Sequence, residues 1–230
     1  MKGDKETASK VSYMATKEII KIYTDGAFFS HSGKPYAGYG YVIPSKGIQV
    51  SQPLDGEKTN NRAELTAIIS AIKACKSFED VVLNVYTDSQ YAMRCFGETG
   101  MKYAKNNFKQ GSKDVPNKDL IIKALNLRKR HPDLVIHHVK AHTTNTDADS
   151  NANAVADELA DRGAITDFLT VHGSVSKYVL SSGKHSGELI SEVPVTYLQW
   201  LISPSGTFQQ SRYGVEHRIV SKYLKSVVPE

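Results

Sequence analysis

The sequence predicts an α/β fold in which helices flank a mixed five-stranded sheet. Two observations support this prediction. Five short runs rich in β-branched and aromatic residues lie within the first 140 residues, and segments with a helical period of apolar residues lie between them. The implied order of elements is β-β-β-α-β-α-α-β-α. Strands that alternate with helices in this way form sheets whose faces are covered by the helices.

The strands are identified as apolar runs bounded by turn residues. The first run ends at Asp25-Gly26, a pair that is typical of turns. Gly38 and Gly40 lie inside the second run, which indicates either a kink or the close approach of another backbone. We predict strands at residues 19–25, 36–43, 47–50, 81–87 and 134–139.

The helices are identified by their period. Leu65, Ile68, Ile69 and Ile72 recur at the spacing that places side chains on one face of a helix. We predict helices at residues 61–77, 89–96 and about 118–130, and another from about residue 153.

The chain of 230 residues is long for a single domain. After Gly163 the apolar residues no longer recur with a clear helical or strand period. We therefore expect a flexible leader (1–17), a main α/β domain (18–164), a linker (165–175) and a small C-terminal α+β module (176–230).

Composition excludes several classes of protein. The chain is 40% hydrophobic and 23% charged, which is typical of globular proteins. Its apolar runs are too short to span a membrane, and its first residues lack the apolar core of a secretory signal. Cys75 and Cys95 do not have the spacing of a zinc site or a disulfide framework. We expect a cytoplasmic protein, in the host cytoplasm if the source is viral.

The charge is unevenly distributed. The formal net charge is +5, but residues 94–130 contain ten Lys and Arg against three Asp and Glu, a local net charge of +7. The rest of the chain therefore carries about −2. Such a concentration predicts that this segment binds an anionic partner, and the alternative is a solvated helix face.

Four acidic residues lie at the ends of predicted elements, and each has an ordinary interpretation. Asp25 could form the turn of its Asp-Gly pair, and Asp88 could cap the helix that follows it. Glu64 could complete a capping box with Asn61, and Asp157 could be a solvated helix residue.

Taken together, the same four residues favour a metal site. If the first and fourth strands are neighbours, Asp25 and Asp88 lie close together, and Glu64 and Asp157 could close over the same edge. Four clustered carboxylates repel one another, and a hard cation such as magnesium or manganese removes that penalty. Two such ions, about 4 Å apart, can activate a water and stabilise the leaving oxygen of a phosphodiester.

The segments that contain these acids resemble motifs of the type 1 ribonucleases H. The resemblance covers residues 19–164, and five ordered motifs carry it: YTDGA (23–27), TNNRAEL (59–65), YTDSQY (86–91), VKAH (139–142) and ADELA (156–160). It implies a ribonuclease H-like fold and hydrolysis of the RNA strand of RNA–DNA hybrids, leaving 3′-hydroxyl and 5′-phosphate ends. It further implies two Mg²⁺ ions per site, which Mn²⁺ could replace. Nothing in the sequence requires a protein partner or an oligomer, so we expect a monomer.

The resemblance also implies roles for individual residues. The four acids would be the catalytic metal ligands, and His142 would assist proton transfer or product release. Contacts with the hybrid are implied in three groups: the minor-groove amides Asn60, Asn61 and Gln90; the DNA-phosphate pocket of Thr59 and Asn117; and the basic protrusion with Lys102, Lys105, Lys109, Lys113 and Lys118. Where some relatives place an arginine before the pocket, this chain has Glu57, and its protrusion is sparser than in many relatives.

A stretch near the C-terminus resembles a small module found at the end of some proofreading-type exonucleases. It reads SGKHSGELISEVPVTYLQWL (182–201). One interpretation is auxiliary nucleic-acid binding, with Lys184 on a phosphate and Trp200 stacked on a base. The alternative is that Trp200 belongs to the core of the module.

Two other functions are compatible with the same scaffold. One is a structure-selective nuclease that acts on another duplex, and the other is a non-catalytic protein that binds hybrids. The second explains the four acids poorly, because a pure binding protein gains nothing from gathering negative charges opposite a polyanion.

Overall fold

The computed structural model describes residues 17–139, 147–208 and 214–228. A five-stranded sheet forms its centre, and a two-stranded hairpin lies apart from it. The strands are β1 (Glu18–His31), β2 (Lys34–Ile43), β3 (Ile48–Pro53), β4 (Val81–Thr87), β5 (Lys109–Gln110), β6 (Lys113–Asp114) and β7 (Val135–His138).

The helices occupy both faces of the sheet and the C-terminal part of the chain. They are α1 (Asn60–Ala74), α2 (Gln90–Phe96), α3 (Glu98–Lys105), α4 (Lys118–Arg130), α5 (Ala148–His172), α6 (Val195–Leu201) and α7 (Gly214–Val227). Single 3₁₀ turns cover Pro44–Lys46, Val175–Lys177 and Ile190–Glu192.

The large sheet is mixed, as the sequence predicted. Its strand order is β3-β2-β1-β4-β7. The first three strands are antiparallel, whereas β1 pairs in parallel with β4 and β4 pairs in parallel with β7. The first and fourth strands are therefore neighbours, which is the condition under which Asp25 and Asp88 were expected to lie close together.

The first strand is longer than predicted, because Asp25-Gly26 is not a turn. Asp25 pairs with Gly40 and lies in the middle of β1. The turn to β2 is formed instead by Ser32 and Gly33, which have φ angles of 50° and 74°. Two successive positive φ values match the twist of a tight hairpin, and this pairing keeps β1 extended up to His31.

Helix α4 has the predicted bounds, whereas α3 and the β5–β6 hairpin were not predicted. These two elements fill the basic segment between α2 and α4. Few of their residues are buried, so apolar periodicity gave no signal for them.

Helix α5 differs most from the sequence-based expectation. It begins at Ala148 because the Asp147 side chain caps it, accepting a hydrogen bond of 2.8 Å from the Ser150 backbone N–H. It continues to His172, so the prediction of a linker at 165–175 is wrong for residues 165–172. Phe168 is fully buried there and extends the apolar face of the helix, which ends only at Gly173 with a φ of 73°.

Helix α5 packs directly on β2 because two glycines leave room for its backbone. A Cβ atom at Gly40 would lie 2.5 Å from the Ala160 nitrogen and 2.6 Å from the Ala156 carbonyl oxygen. A Cβ at Gly38 would overlap the backbone of Gly163 and Ala164. Of the two interpretations of these glycines, close approach of another backbone is therefore confirmed.

The C-terminal part of the chain shares a core with the sheet and α5. Phe29 of β1 and Phe168 of α5 belong to the same buried cluster as Tyr178, Leu198 and Ile219. The described C-terminal residues are mainly helical, with one isolated β-bridge between residues 179 and 189. This region therefore stabilises the main fold by burying apolar surface against it.

No helix in the part of the chain that the structure describes has the length and apolar character needed to cross a membrane. The predicted leader falls mainly in residues 1–16, which lie outside the described residues.

We predict that Gly40→Ala destabilises the protein by about 2–3 kcal/mol, because the new methyl group would force α5 away from β2. Urea denaturation followed by circular dichroism measures this change. The control is Ser45→Ala, at an exposed residue of the Pro44–Lys46 turn, which should shift stability by less than about 0.5 kcal/mol. Equal effects of the two substitutions would contradict the packing argument.

Candidate active site

Two carboxylates are brought together by the parallel pairing of β1 and β4. The last paired residues are Tyr23 and Tyr86. Asp25 and Asp88 follow two residues later on their respective chains. Because both strands run in the same direction, both carboxylates emerge at the same edge of the sheet.

A third carboxylate comes from the start of α1. Gly26 follows Asp25 on β1, and a Cβ atom there would lie 2.6 Å from the carbonyl carbon of Ala63. The absence of a side chain at Gly26 lets the first turns of α1 lie against β1, which places Glu64 beside Asp25. The Asp-Gly pair is thus explained by close backbone approach, and not by a turn.

The three carboxylates form a set that fits a hard divalent cation. Asp25, Glu64 and Asp88 each offer an oxygen atom, and these atoms all lie within 4.8 Å of one another. The Oε2 atom of Glu64 is buried and has no hydrogen-bond partner in the described protein. A buried, unpartnered carboxylate oxygen beside two further carboxylates is the oxygen-rich environment that magnesium or manganese prefers.

The site is strongly unfavourable for negative charge when no cation is bound. Burial raises the pKa of the Asp25 carboxyl well above its usual range, and the charges of Asp88, Asp157 and Asp161 raise it further. Burial also raises the pKa of Glu64 well above its usual range, with further contributions from Asp25 and Asp88. Perturbation of this kind is typical of functional sites.

Asp157 approaches the same cluster from α5. The early start of α5 places it in the third turn of the helix, and not near its beginning as predicted. Its charge reaches Asp25, whose pKa it raises. The structure therefore brings all four predicted acids to one region, with three of them in the tight group.

Two charged residues at this site were not predicted. Asp161 lies one helical turn after Asp157 and is 5% exposed. Arg218 of α7 forms an ion pair of 2.8 Å with Asp161 and lies 3.5 Å from Asp157. Burial and the Asp157 charge raise the pKa of Asp161 to about 7, whereas Arg218 opposes this rise. Asp161 could have been predicted from the sequence, because it lies four residues after Asp157 on the same helix. No feature of the sequence near Arg218 indicates that it reaches this site.

The ordinary interpretations of two acids are wrong. Helix α1 is capped by Thr59, whose hydroxyl accepts a hydrogen bond from the Arg62 N–H, so Glu64 and Asn61 do not form a capping box. Helix α2 is capped by Ser89, which accepts from the Ala92 N–H, and Asp88 is not the capping residue.

The side chains predicted to contact the minor groove are exposed residues in the first turns of α1 and α2. Asn60 and Asn61 are the first two residues of α1 and are exposed. Gln90 is the first residue of α2, is also exposed, and accepts a hydrogen bond of 3.2 Å from Arg94. Because Thr59 caps α1, both asparagine side chains are available for other contacts.

Thr59 and Asn117, the two predicted residues of the DNA-phosphate pocket, are joined by Arg62. The Thr59 hydroxyl accepts from the Arg62 backbone N–H, and the Asn117 Oδ1 atom lies 3.5 Å from Arg62 Nη1. The Arg62 guanidinium also makes two hydrogen bonds of 2.9 Å with Asp119. Its positive charge is therefore largely neutralised within the protein.

The predicted lysines differ in whether their charges are paired. Lys109 and Lys118 both lie within 3.0 Å of Asp114. Lys102 and Lys105 on α3 and Lys113 on β6 are exposed, and the described residues give them no ion-pair partner within 4.0 Å. These three lysines are thus better placed to bind phosphates than the other two.

His142 lies outside the described residues, within 140–146. Of the neighbouring histidines, His138 contacts the backbone carbonyl of Asp88 through its Nε2 atom at 3.0 Å. His137 stacks on Tyr86 with ring centroids 4.7 Å apart.

The two predicted C-terminal residues lie on the surface beside Tyr197. The Lys184 backbone N–H donates to the Tyr197 hydroxyl at 2.9 Å, and the Tyr197 and Trp200 rings are 5.3 Å apart. Trp200 is 44% exposed, so the alternative that it belongs to a buried core is wrong.

Comparison with known proteins extends these observations. The RNase H family model matches residues 17–165. The ribonuclease H of Caldicellulosiruptor saccharolyticus is 37% identical over 147 residues, covering 63% of this chain and 94% of the relative. That of Chromobacterium violaceum is 35% identical over 153 residues, covering 65% and 97%. The solution structure of the PFV RNase H domain is 26% identical with a TM-score of 0.55, covering 66% of this chain and 98% of that one.

We predict that Asp25→Asn stabilises the protein by about 1–2 kcal/mol at pH 8 in EDTA, because it removes one of the repelling carboxylates. The pKa of Asp25 is higher in the folded than in the unfolded state, so its unfavourable contribution grows as the pH rises above about 4. The stabilisation should therefore disappear near pH 4.

Thermal unfolding of the two proteins across this pH range measures the effect. Asp55→Asn is the control, since Asp55 is an exposed acid away from the cluster. A destabilising Asp25→Asn substitution at pH 8 would be inconsistent with strong repulsion at the site.

Proposed function

The chain belongs to the RNase H family, and from this premise we propose that it hydrolyses the RNA strand of RNA–DNA hybrids by two-metal-ion catalysis. We propose 3′-hydroxyl and 5′-phosphate products. The observation that carries this proposal is the group of Asp25, Glu64 and Asp88, whose carboxylate oxygens lie within 4.8 Å of one another. A clustered set of acids at the edge of a sheet has no evident use in a protein that only binds nucleic acid.

Magnesium is the proposed cofactor, with manganese as a substitute. Asp25, Glu64, Asp88 and Asp157 would hold the ions, and the unpartnered Oε2 atom of Glu64 supports this assignment. When bound, the ions would activate a water molecule and stabilise the charge that develops on the leaving 3′-oxygen. Asp25, Glu64 and Asp157 lie on β1, α1 and α5, and Asp88 directly follows β4, so that little reorganisation is needed.

The exposed amides support recognition of a hybrid. Asn60, Asn61 and Gln90 lie at the starts of α1 and α2, next to Glu64 and Asp88 in sequence. Amides both donate and accept hydrogen bonds, which suits 2′-hydroxyl groups and base edges in a minor groove. We propose that they select RNA in one strand, while Thr59 and Asn117 contact a phosphate of the other.

The basic segment is proposed to hold the sugar–phosphate backbone. Its exposed lysines Lys102, Lys105 and Lys113 provide long-range attraction, and Lys109 could join them by exchanging its partner Asp114 for a phosphate. His142 is proposed to assist proton transfer or product release at the site.

The surface of Lys184, Tyr197 and Trp200 is proposed to provide additional contact with nucleic acid. The exposed indole of Trp200 supports stacking on an unpaired base, because aromatic faces bind bases with little sequence preference. The resemblance of this region to an exonuclease-associated module stays a prediction, as do the monomeric state and the cytoplasmic location.

We predict that the protein cleaves the RNA strand of a labelled RNA–DNA hybrid in the presence of Mg²⁺, and that Asp25→Asn lowers the rate at least about 10³-fold. Gel analysis of the products, beside RNA–RNA and DNA–DNA duplexes, measures both activity and selectivity. Full activity of the Asp25→Asn protein would refute the metal assignment. Equal cleavage of another duplex would favour a structure-selective nuclease instead.

We predict that replacing Lys102, Lys105 and Lys113 with alanine reduces the slope of log K against log[salt] by about three, at ~0.9 per phosphate contact. Hybrid binding is measured by fluorescence anisotropy with Ca²⁺ in place of Mg²⁺. The control is the replacement of Lys34, Lys73 and Lys76, which are exposed lysines outside the basic segment. If both triple variants change the slope equally, the basic segment has no special role.

A further inference from the structure

The first turn of α7 lies directly on the catalytic side of α5. A Cβ atom at Gly214 would lie 2.7 Å from the Asp161 Oδ2 atom, so the glycine lets this carboxylate lie close to the backbone of α7. One turn later, Arg218 donates from its Nε atom to the same oxygen at 2.8 Å. The C-terminal region thus places a fixed positive charge at the carboxylate site.

The same guanidinium extends to a predicted metal ligand. The Nη2 atom of Arg218 lies 3.5 Å from Asp157 Oδ2, and Asp157 and Asp161 are one helical turn apart on α5. The Arg218 side chain is only 19% exposed and that of Asp161 only 7%. Water therefore screens these charges less than it would screen a surface ion pair.

The arginine lies outside the part of the chain that matches the family. The RNase H model matches residues 17–165, whereas Arg218 belongs to the helix that begins at Gly214. The C-terminal region consequently adds a charged group to a site whose other members all come from the family domain.

We propose that Arg218 and Asp161 form a built-in charge pair whose members have opposed and nearly balanced effects on how tightly the site binds divalent cations. This inference rests on the proposed function, because it takes Asp157 as a metal ligand. A fixed cation beside Asp157 weakens the binding of a metal ion by electrostatic repulsion, and the carboxylate of Asp161 strengthens it. With both present the two effects largely cancel, so the C-terminal region tunes the affinity instead of blocking the site.

A purely structural ion pair gives a different expectation. If the pair only anchors α7 to α5, removing either partner loosens the same contact and changes metal binding in the same direction. If the pair acts through its charges, removing Arg218 and removing Asp161 change metal binding in opposite directions. The sign of the two effects therefore separates the two roles.

The test uses the full chain and Mn²⁺ alone, without nucleic acid, at low ionic strength. Electron paramagnetic resonance of free Mn²⁺ gives the dissociation constant. We expect Arg218→Gln to tighten binding about fivefold, Asp161→Asn to weaken it about fivefold, and the double variant to return to near the wild-type value. Arg218→Lys, which keeps the charge, should also resemble the wild type. Lys222→Ala, one turn further along α7, is the matched control and should leave the constant unchanged.

Several outcomes would overturn the proposal: an unchanged affinity in Arg218→Gln, or shifts of the same sign in Arg218→Gln and Asp161→Asn. Asp25→Asn identifies the site that is being measured. If Asp25→Asn also leaves Mn²⁺ binding unchanged, the metal site itself is wrong, and the proposed function fails with it. If Asp25→Asn abolishes binding and Arg218→Gln does not alter it, only the present inference fails.

A second measurement follows metal binding in the wild-type protein. In wild-type protein titrated with Mg²⁺, the Nε–H nuclear magnetic resonance signal of Arg218 should shift and saturate together with the site. The signal is identified as the one that Arg218→Lys lacks. If the chemical shift of this signal stays constant until the site is saturated with Mg²⁺, an electrostatic interaction between Arg218 and the bound ion is contradicted.

Discussion

Repulsion among carboxylates is the constraint on which the other features of this protein depend. Asp25, Glu64 and Asp88 place oxygen atoms within 4.8 Å of one another, and burial raises the pKa values of Asp25 and Glu64. Such a group is tolerated only if the rest of the fold supplies enough stability to hold it together, and its cost is offset when a divalent cation binds. The clustering of carboxylates therefore lowers the stability of the folded protein, and the same clustering allows the site to bind divalent cations.

Close backbone packing supplies the rigidity that this site requires. Gly26 lets α1 lie against β1, and Gly38 and Gly40 let α5 lie against β2. Three of the four acids are therefore held by regular elements, and Asp88 lies in the two-residue connection between β4 and α2. The C-terminal region completes the same packing, because its buried residues join those of β1 and α5 in one core.

Positive charge acts in two ways around the site. The exposed lysines of α3 and the hairpin extend into solvent, where they can attract a polyanion over a distance of about a Debye length. Arg62 and Arg218 are instead held by aspartates, so their charges shape the local field. The net charge of +5 is thus the sum of a basic surface and an acidic centre, which explains why the total alone was a weak indication of function.

The sequence by itself determined the order of the main elements and the four acids, because periodicity and short motifs are local properties of the chain. The pairing of the first and fourth strands, which brings Asp25 and Asp88 together, was only a condition in the sequence argument and is given by the structure. Only the tertiary structure decided that β1 continues past Asp25-Gly26, that α5 includes residues 165–172, and that Arg218 reaches the site. Arg218 is 57 residues from Asp161 along the chain. Contacts over such separations arise from packing of whole elements, and they leave no period or spacing in the sequence.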